Sequence, residues 1–277
     1  KYFDVLLLHK TKNSSMVQSG HRFSLPFVIR ESLKIAAAIS VLLVSVLYIS
    51  NNVGKPAPVL EMNKIVVPPG QRANLTLSDG TNVWLNARTK IVYPAVFDKS
   101  VRQVAVDGEA YFEVAHNKEI PFYVQTENIK VQVTGTKFDV CSYKGSNSFI
   151  ARLIEGSINL LTNNAKEEKP ITSLTKGKYF SMENGKYKTG EMSSNNALAW
   201  MQGIYYFDDV PFKELLDKIA LYYNYKITVK NPKILENYRC TGKFKDLDGI
   251  EHILKVIQKD HPFKYNIDNE HNKITIE

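Results

Sequence analysis

Three rhythms of apolar and polar positions follow one another along the chain. The first is a block: Ile35 to Ile49 reads IAAAISVLLVSVLYI, fifteen positions without a charge, a glycine or a proline. With Leu33 added and the Lys34 ammonium snorkelling, the run lengthens to seventeen, the short end of the roughly 17–25 residues that cross a bilayer as a helix. A core helix of a soluble domain would carry a polar face, whereas only the hydroxyls of Ser40, Ser45 and Tyr48 interrupt this one. A secretory signal would have a short basic start and a small-x-small cleavage site; here 34 residues precede the run and SNNVGKPAP follows it. The pattern predicts one transmembrane helix over 35–50. A linker over 51–64 follows, in which GKPAPVL reads as a stiff, extended spacer.

The second rhythm has period two and fills 65–192. LTLSDGTNVWLN, RQVAVDGEAYFEV, PFYVQT, IKVQVTGTKFDVCSY and ARLIEGSINLL alternate apolar with polar, and SDGT, VDGE, IEGS, TKGK and ENGK supply turn signals. Helical periodicity is absent, so an all-β sandwich or β-roll is expected. Within DGEAYFEVAH, Asp107, Glu109, Tyr111 and Glu113 point one way while Ala110, Phe112 and Val114 point the other. That reads as a half-buried strand with its acids on the wet side of a sheet and His116 on the apolar side.

The third rhythm mixes the two periods. After a connector over 193–203, GIYYFDDVPFKELLDKIALYYNYKITV gives strand, helix, strand, with Phe212, Leu215, Leu216, Ile219 and Ala220 at helical spacing behind Pro211. CTGKFKDLDGIEHILKVIQKDHPFKYNI repeats the plan with Ile250, Ile253, Leu254 and Ile257, and Asp248 with Glu251 forms a capping-box pattern. A last strand, KITI, closes a small α+β domain of βαβ-βαβ-β order over 204–277, in which two helices cover one face of a small sheet.

Charge orients the first block. Residues 1–34 hold six Lys/Arg against two Asp/Glu, and the near flank carries Arg22, Arg30 and Lys34, while the far flank NNVGKPAPVLEMN has one Lys and one Glu. The N-terminal segment should therefore lie in the cytoplasm and everything from Asn51 onward outside the inner membrane. Residues 196–277 carry twelve charges of each sign, an ordinary solvated scatter.

Chemistry adds little. The period-two phase separates His116 from the carboxylates of its own strand, and six His and two Cys in the whole chain supply few metal ligands. No Ser-His-Asp order, HExxH, Walker loop or paired-Cys motif is present, so no catalytic residue, metal or cofactor is expected. Cys141 and Cys240 fall in different modules and read as free thiols. Two other readings fit the pattern. One is an envelope polysaccharide-binding or hydrolytic protein, with aromatics such as Trp84, Tyr93 and Tyr111 lining a cleft; the other is a surface adhesin.

PPGQRANLTLSDGTNVWLN, YPAVF, GEAYFEVA, PFYVQT, VTGTKFDV and LIEGSINL, in this order over 65–160, resemble the FecR family. LAWMQGIYYFDD, YNYKITV and CTGKF in the last 80 residues resemble the domain that commonly follows a FecR module, itself similar to receptor signalling domains and secretin N-terminal domains. Arg88, where the family tends to have a small residue, and Thr134, in place of a usual aliphatic, depart from the pattern. The resemblance implies a single-pass inner-membrane anti-sigma factor. Its cytosolic segment binds an extracytoplasmic-function sigma factor, and its periplasmic part reads a TonB-dependent outer-membrane transporter through that transporter's signalling domain. Site proteases transmit the signal, with no direct contact to nucleic acid. The cytosolic segment over 1–34, with FDVLLLHK as a remnant helix, is shorter than the sigma-binding segment of such proteins. An open small sheet must leave edges that accept a partner strand. GIYYF and NKITI are the apolar candidates, which makes Tyr205, Tyr206, Phe207, Ile274 and Ile276 the expected partner-binding residues.

Overall fold

Helix α1 (Phe27–Asn52) carries a stretch, Val28–Ser50, that is 23 residues long and apolar enough to cross a membrane. The helix starts earlier than the apolar run, and its one carboxylate is paired there, with Lys34 Nζ 2.6 Å from Glu31 Oε1 one turn away. Ser40 and Ser45 donate their hydroxyls to the carbonyls of Ala37 and Val41 at 2.8 and 2.7 Å, so neither presents an unmet donor on a helix surface suited to lipid. The computed structural model describes residues 26–52, 61–163, 168–192 and 195–277. The FDVLLLHK segment, the 54–60 spacer and the first two connector residues lie outside them. Leu60–Glu277 forms a compact unit of its own, separate from Lys1–Val59.

Among the described residues that unit begins with thirteen strands in one curled sheet: β1 (Met62–Val66), β2 (Ala73–Thr76), β3 (Asn82–Leu85), β4 (Lys90–Pro94), β5 (Arg102–Glu113), β6 (Phe122–Gln125), β7 (Ile129–Val133), β8 (Lys137–Ser142), β9 (Ser148–Glu155), β10 (Ser157–Thr162), β11 (Pro170–Thr175), β12 (Lys178–Glu183) and β13 (Lys186–Glu191). The curl is made by β5. Its first half pairs with β4 and, in parallel, with β6; its second half pairs with β3 and β8. One layer thus runs from β11 through β10, β7 and β6 to β5, and the other from β5 through β8, β9 and β12 to β13. The apolar sides of both layers meet in a core where Phe112 of the second half of β5 stacks on Phe138 of β8 at 5.1 Å and tilts against Phe122 of β6 at 6.0 Å.

The turn signals divide accordingly. SDGT joins the β2–β3 hairpin and ENGK, with Asn184 and Gly185 both at positive φ, joins the β12–β13 hairpin. IEGS and TKGK sit between strands that do not pair with each other, so there the chain changes layer. VDGE is no turn: it lies inside β5. Gly108 takes φ +137°, and a Cβ there would sit 2.6 Å from the Thr89 Cα. The strand bends from one layer into the other at the one residue that lets it.

The chain then forms β14 (Ile204–Pro211), α2 (Phe212–Tyr223), β15 (Lys226–Val229), β16 (Arg239–Lys245), α3 (Gly249–Asp260), β17 (Tyr265–Asp268) and β18 (Lys273–Ile276), the βαβ-βαβ-β order read from the pattern. Helix α2 follows Pro211, buries Phe212, Leu215, Leu216, Ile219 and Tyr222, and ends at Asn224 in the left-handed region, φ 59°. Ala220 flanks that buried face, and Tyr222 completes it. The strands do not make one sheet. β14 and β16 form an antiparallel ribbon, and β15, β18 and β17 form a separate three-stranded sheet. The expected capping box is also different: Asp248 turns back to accept from the Lys245 backbone N–H at 3.0 Å, closing the turn before α3 rather than capping the helix itself.

Candidate functional site at the seam between the two modules

The outer side of β3, β5, β8 and β9 carries both polar and bulky residues. From β5 come Glu109 and Tyr111, from β8 Asp139 and Cys141, from β9 Arg152, from β3 Trp84, and from the following turn Asn86. Pleating places them together: Glu109 lies opposite Cys141, Tyr111 opposite Asp139 and Trp84, and Asp139 opposite Arg152. The centre of this face is withdrawn from water. α2 and the 3-10 turn Asn195–Gln202 cover it, and Trp84, Ala87, Tyr111 and Ile154 join the apolar core of the C-terminal module.

Covering this face encloses an ionic cluster. Glu109 is 4% exposed and Asp139 fully buried. Arg152 Nη1 donates to Asp139 Oδ2 at 2.5 Å and lies 3.6 Å from Glu109 Oε1. The remaining acceptor positions are met from both modules. Asn86 Nδ2 donates to Glu109 Oε2 at 2.6 Å and Tyr222 Oη to the same oxygen at 3.3 Å. Trp200 Nε1 donates to Asp139 Oδ1 at 3.3 Å. Around this centre Gly70 N donates to the Tyr222 carbonyl at 2.9 Å, and Arg72 Nη1 pairs with Asp246 at 2.9 Å while donating to the Trp200 carbonyl. No buried side-chain polar atom among the described residues lacks a partner, which is the condition under which buried charge is tolerable.

The titration of these groups follows from enclosure. Burial raises the Asp139 carboxyl to about 7, Arg152 opposing the rise and Glu109 adding to it. Burial opposes the charge on Arg152, but Asp139 and then Glu109 outweigh it and hold the guanidinium above its usual range. Burial, reinforced by Glu109, lifts the Tyr222 and Tyr143 hydroxyls and the Cys141 thiol well above their ordinary values. Burial and the Glu113 carboxylate push Tyr111 up to about 12.

Two expectations from the pattern are corrected here. The acid-bearing side of β5 is not a solvated face: Glu109 and Tyr111 are buried, and only Asp107 and Glu113 keep partial exposure. His116 does not join the apolar side, because β5 ends at Glu113 and the histidine is exposed beyond it. The expected free thiols are found, with Cys141 half-buried in the seam and Cys240 buried in β16. Arg88, the departure from the family pattern, sits at φ 59° in the turn after Asn86 and donates to the Leu221 carbonyl at 3.4 Å. No group of three or more His, Cys, Asp or Glu among the described residues is arranged to hold a metal.

The five expected partner-binding residues separate. Tyr205 and Phe207 are buried in the C-terminal core, with Tyr205 stacked on Tyr222 at 4.4 Å; Tyr206 faces outward. Among the described residues β14 pairs only with β16, so its other edge carries no strand partner there. Ile274 and Ile276 offer no edge. β18 is the central strand between β15 and β17, and both isoleucines are fully buried. The closing strand is paired on both sides because the parallel β15–β18 contact takes the edge that the pattern left open.

Comparison with known proteins bears on the whole arrangement. Residues 63–159 match the family described as FecR protein, and residues 204–276 the family described as FecR, C-terminal. Two crystal structures of a candidate anti-sigma factor from Parabacteroides distasonis ATCC 8503, at 2.50 and 1.65 Å resolution, are similar, each with TM-score 0.67 and 25% identity over 78% of this chain and 98% of that one. No curated protein matches.

Proposed function

Because this chain belongs to the FecR family, we propose that it is a single-pass inner-membrane anti-sigma factor that holds an extracytoplasmic-function sigma factor at its cytosolic segment. Its periplasmic modules relay the state of a TonB-dependent outer-membrane transporter, and site proteases release the sigma factor. The family is regulatory rather than enzymatic and implies a sigma factor as partner. The observation that carries the reading is the order of parts in one chain: a basic arm, a helix of membrane-crossing length, a FecR module and a FecR C-terminal module. The free edge of β14 and the outward Tyr206 give the C-terminal module a place to accept a strand of the transporter's signalling domain.

Topology tests this first. A phosphatase that is active only in the periplasm should work when fused after Glu277 and fail when fused after Gly20. The reverse pattern removes the sigma factor from the segment's reach and ends the proposal.

A further inference from the structure

The seam is electrically unbalanced. Glu109 and Asp139 bring two negative charges into it and Arg152 brings one positive charge. The other cations on the surrounding elements are already committed. On α2, Lys218 lies 2.9 Å from Glu214; on β8, Lys137 lies 3.2 Å from Glu155; Arg72 is paired with Asp246 at 2.9 Å. Arg88, in the turn after β3, is exposed and directed at the Leu221 carbonyl. Of the remaining titratable groups, Glu113 of β5 is half exposed and accepts from Tyr111 at 3.3 Å. Burial keeps the hydroxyls of Tyr143, Tyr205 and Tyr222 and the Cys141 thiol protonated at neutral pH. None of them supplies the missing positive charge. Two buried carboxylates facing one guanidinium leave one negative charge unmatched, and a proton on the fully buried Asp139 cancels it.

We propose that the fully buried Asp139, facing Arg152 together with Glu109, holds a proton while the C-terminal module is docked on the β module, and that losing this proton as pH rises loosens the seam, making the docking a pH-dependent latch. The geometry supplies both halves of the argument. Tyr222 and Trp200 roof the carboxylates from the C-terminal side, so undocking returns Asp139 to water, where an aspartate ionises in the ordinary range of about 4. The docked form therefore binds more protons than the undocked form between that range and the raised Asp139 value of about 7. Docking is strongest below the lower limit and weakens as pH rises through the upper one, by at most about tenfold per pH unit for one linked proton.

The test uses the full chain in detergent micelles. Both of its tryptophans lie at the seam, Trp84 packed against the C-terminal core and Trp200 bonded to Asp139. The Gly70 amide, bonded to the Tyr222 carbonyl, spans the seam as well. Between about pH 5 and about pH 9, tryptophan emission should shift to the red while far-UV circular dichroism stays constant. Over the same interval the hydrogen-exchange protection factor of the Gly70 amide should fall. Asp139→Asn leaves one acid facing Arg152 and should abolish both transitions; Glu109→Gln should do the same and stands in if the first variant does not fold. A flat wild-type profile overturns the latch. So do transitions unchanged in the variants, or an emission shift without loss of Gly70 protection.

Discussion

Replacing Arg152 with alanine should destabilise the Leu60–Glu277 unit by about 3–5 kcal/mol, the usual cost of removing one partner from a buried ion pair. The reason is what stays behind. Glu109 and Asp139 keep their enclosure under α2 and Trp200 but lose the cation that, among the described residues, faces both. Asn86, Tyr222 and Trp200 still donate hydrogen bonds to them, yet none of these neutralises a charge. The loss should be larger at pH 8 than at pH 5, since protonation of the stranded Asp139, already favoured by its burial, relieves part of it. Glu113→Gln, on the same side of β5 but half exposed, should change stability by no more than about 0.5 kcal/mol. Urea unfolding of the unit decides: a loss below about 1 kcal/mol for Arg152→Ala would mean the seam is wetter than its geometry.

Gly108→Ala should cost about 3 kcal/mol or more, combining strain from a backbone conformation that L-residues avoid with a clash that has no room to relax. At φ +137° the new Cβ would lie 2.6 Å from the Thr89 Cα. Thr89 cannot retreat, because its hydroxyl donates to the Glu109 carbonyl and accepts from the Glu109 N–H, both at 3.0 Å. The damage would reach both layers, since β5 is the strand they share. Gly145→Ala is the comparison: its φ is also positive, +78°, but nothing lies within 4 Å of the added carbon, so only the conformational cost of about 1 kcal/mol applies. Equal losses at the two positions in a thermal melt would refute a steric origin for the bend in β5.

The β module was legible from alternation because its strands, β13 apart, turn one side toward the Phe112–Phe138 core. The α2 and α3 faces were legible because Leu215, Leu216, Ile219 and Ile250, Ile253, Leu254 recur at helical spacing. The seam was not. Alternation shows that Glu109 and Asp139 leave the core, but not what they meet on the other side, and a covering module is set by tertiary docking rather than by period. One signal was present in the sequence. The supposed wet side also holds Trp84, Tyr111, Cys141 and Ile154, too much apolar surface for a solvated face, and all four are wholly or partly withdrawn from water. VDGE misled for a related reason: an Asp-Gly pair marks a positive-φ site, and whether that site closes a hairpin or bends a strand depends on Thr89, some twenty residues away in sequence. Strand order was likewise hidden, so KITI looked like a closing edge although β15 pairs with it in parallel.

The measurement that bears most directly on a regulator built from these parts is co-purification of the full-length chain from membranes with candidate extracytoplasmic-function sigma factors. A stoichiometric complex with one of them, lost when residues 1–34 are removed and retained when the C-terminal module is deleted, is the predicted result. A chain that retains none of the sigma factors, or that captures one only through its C-terminal module, would contradict the account.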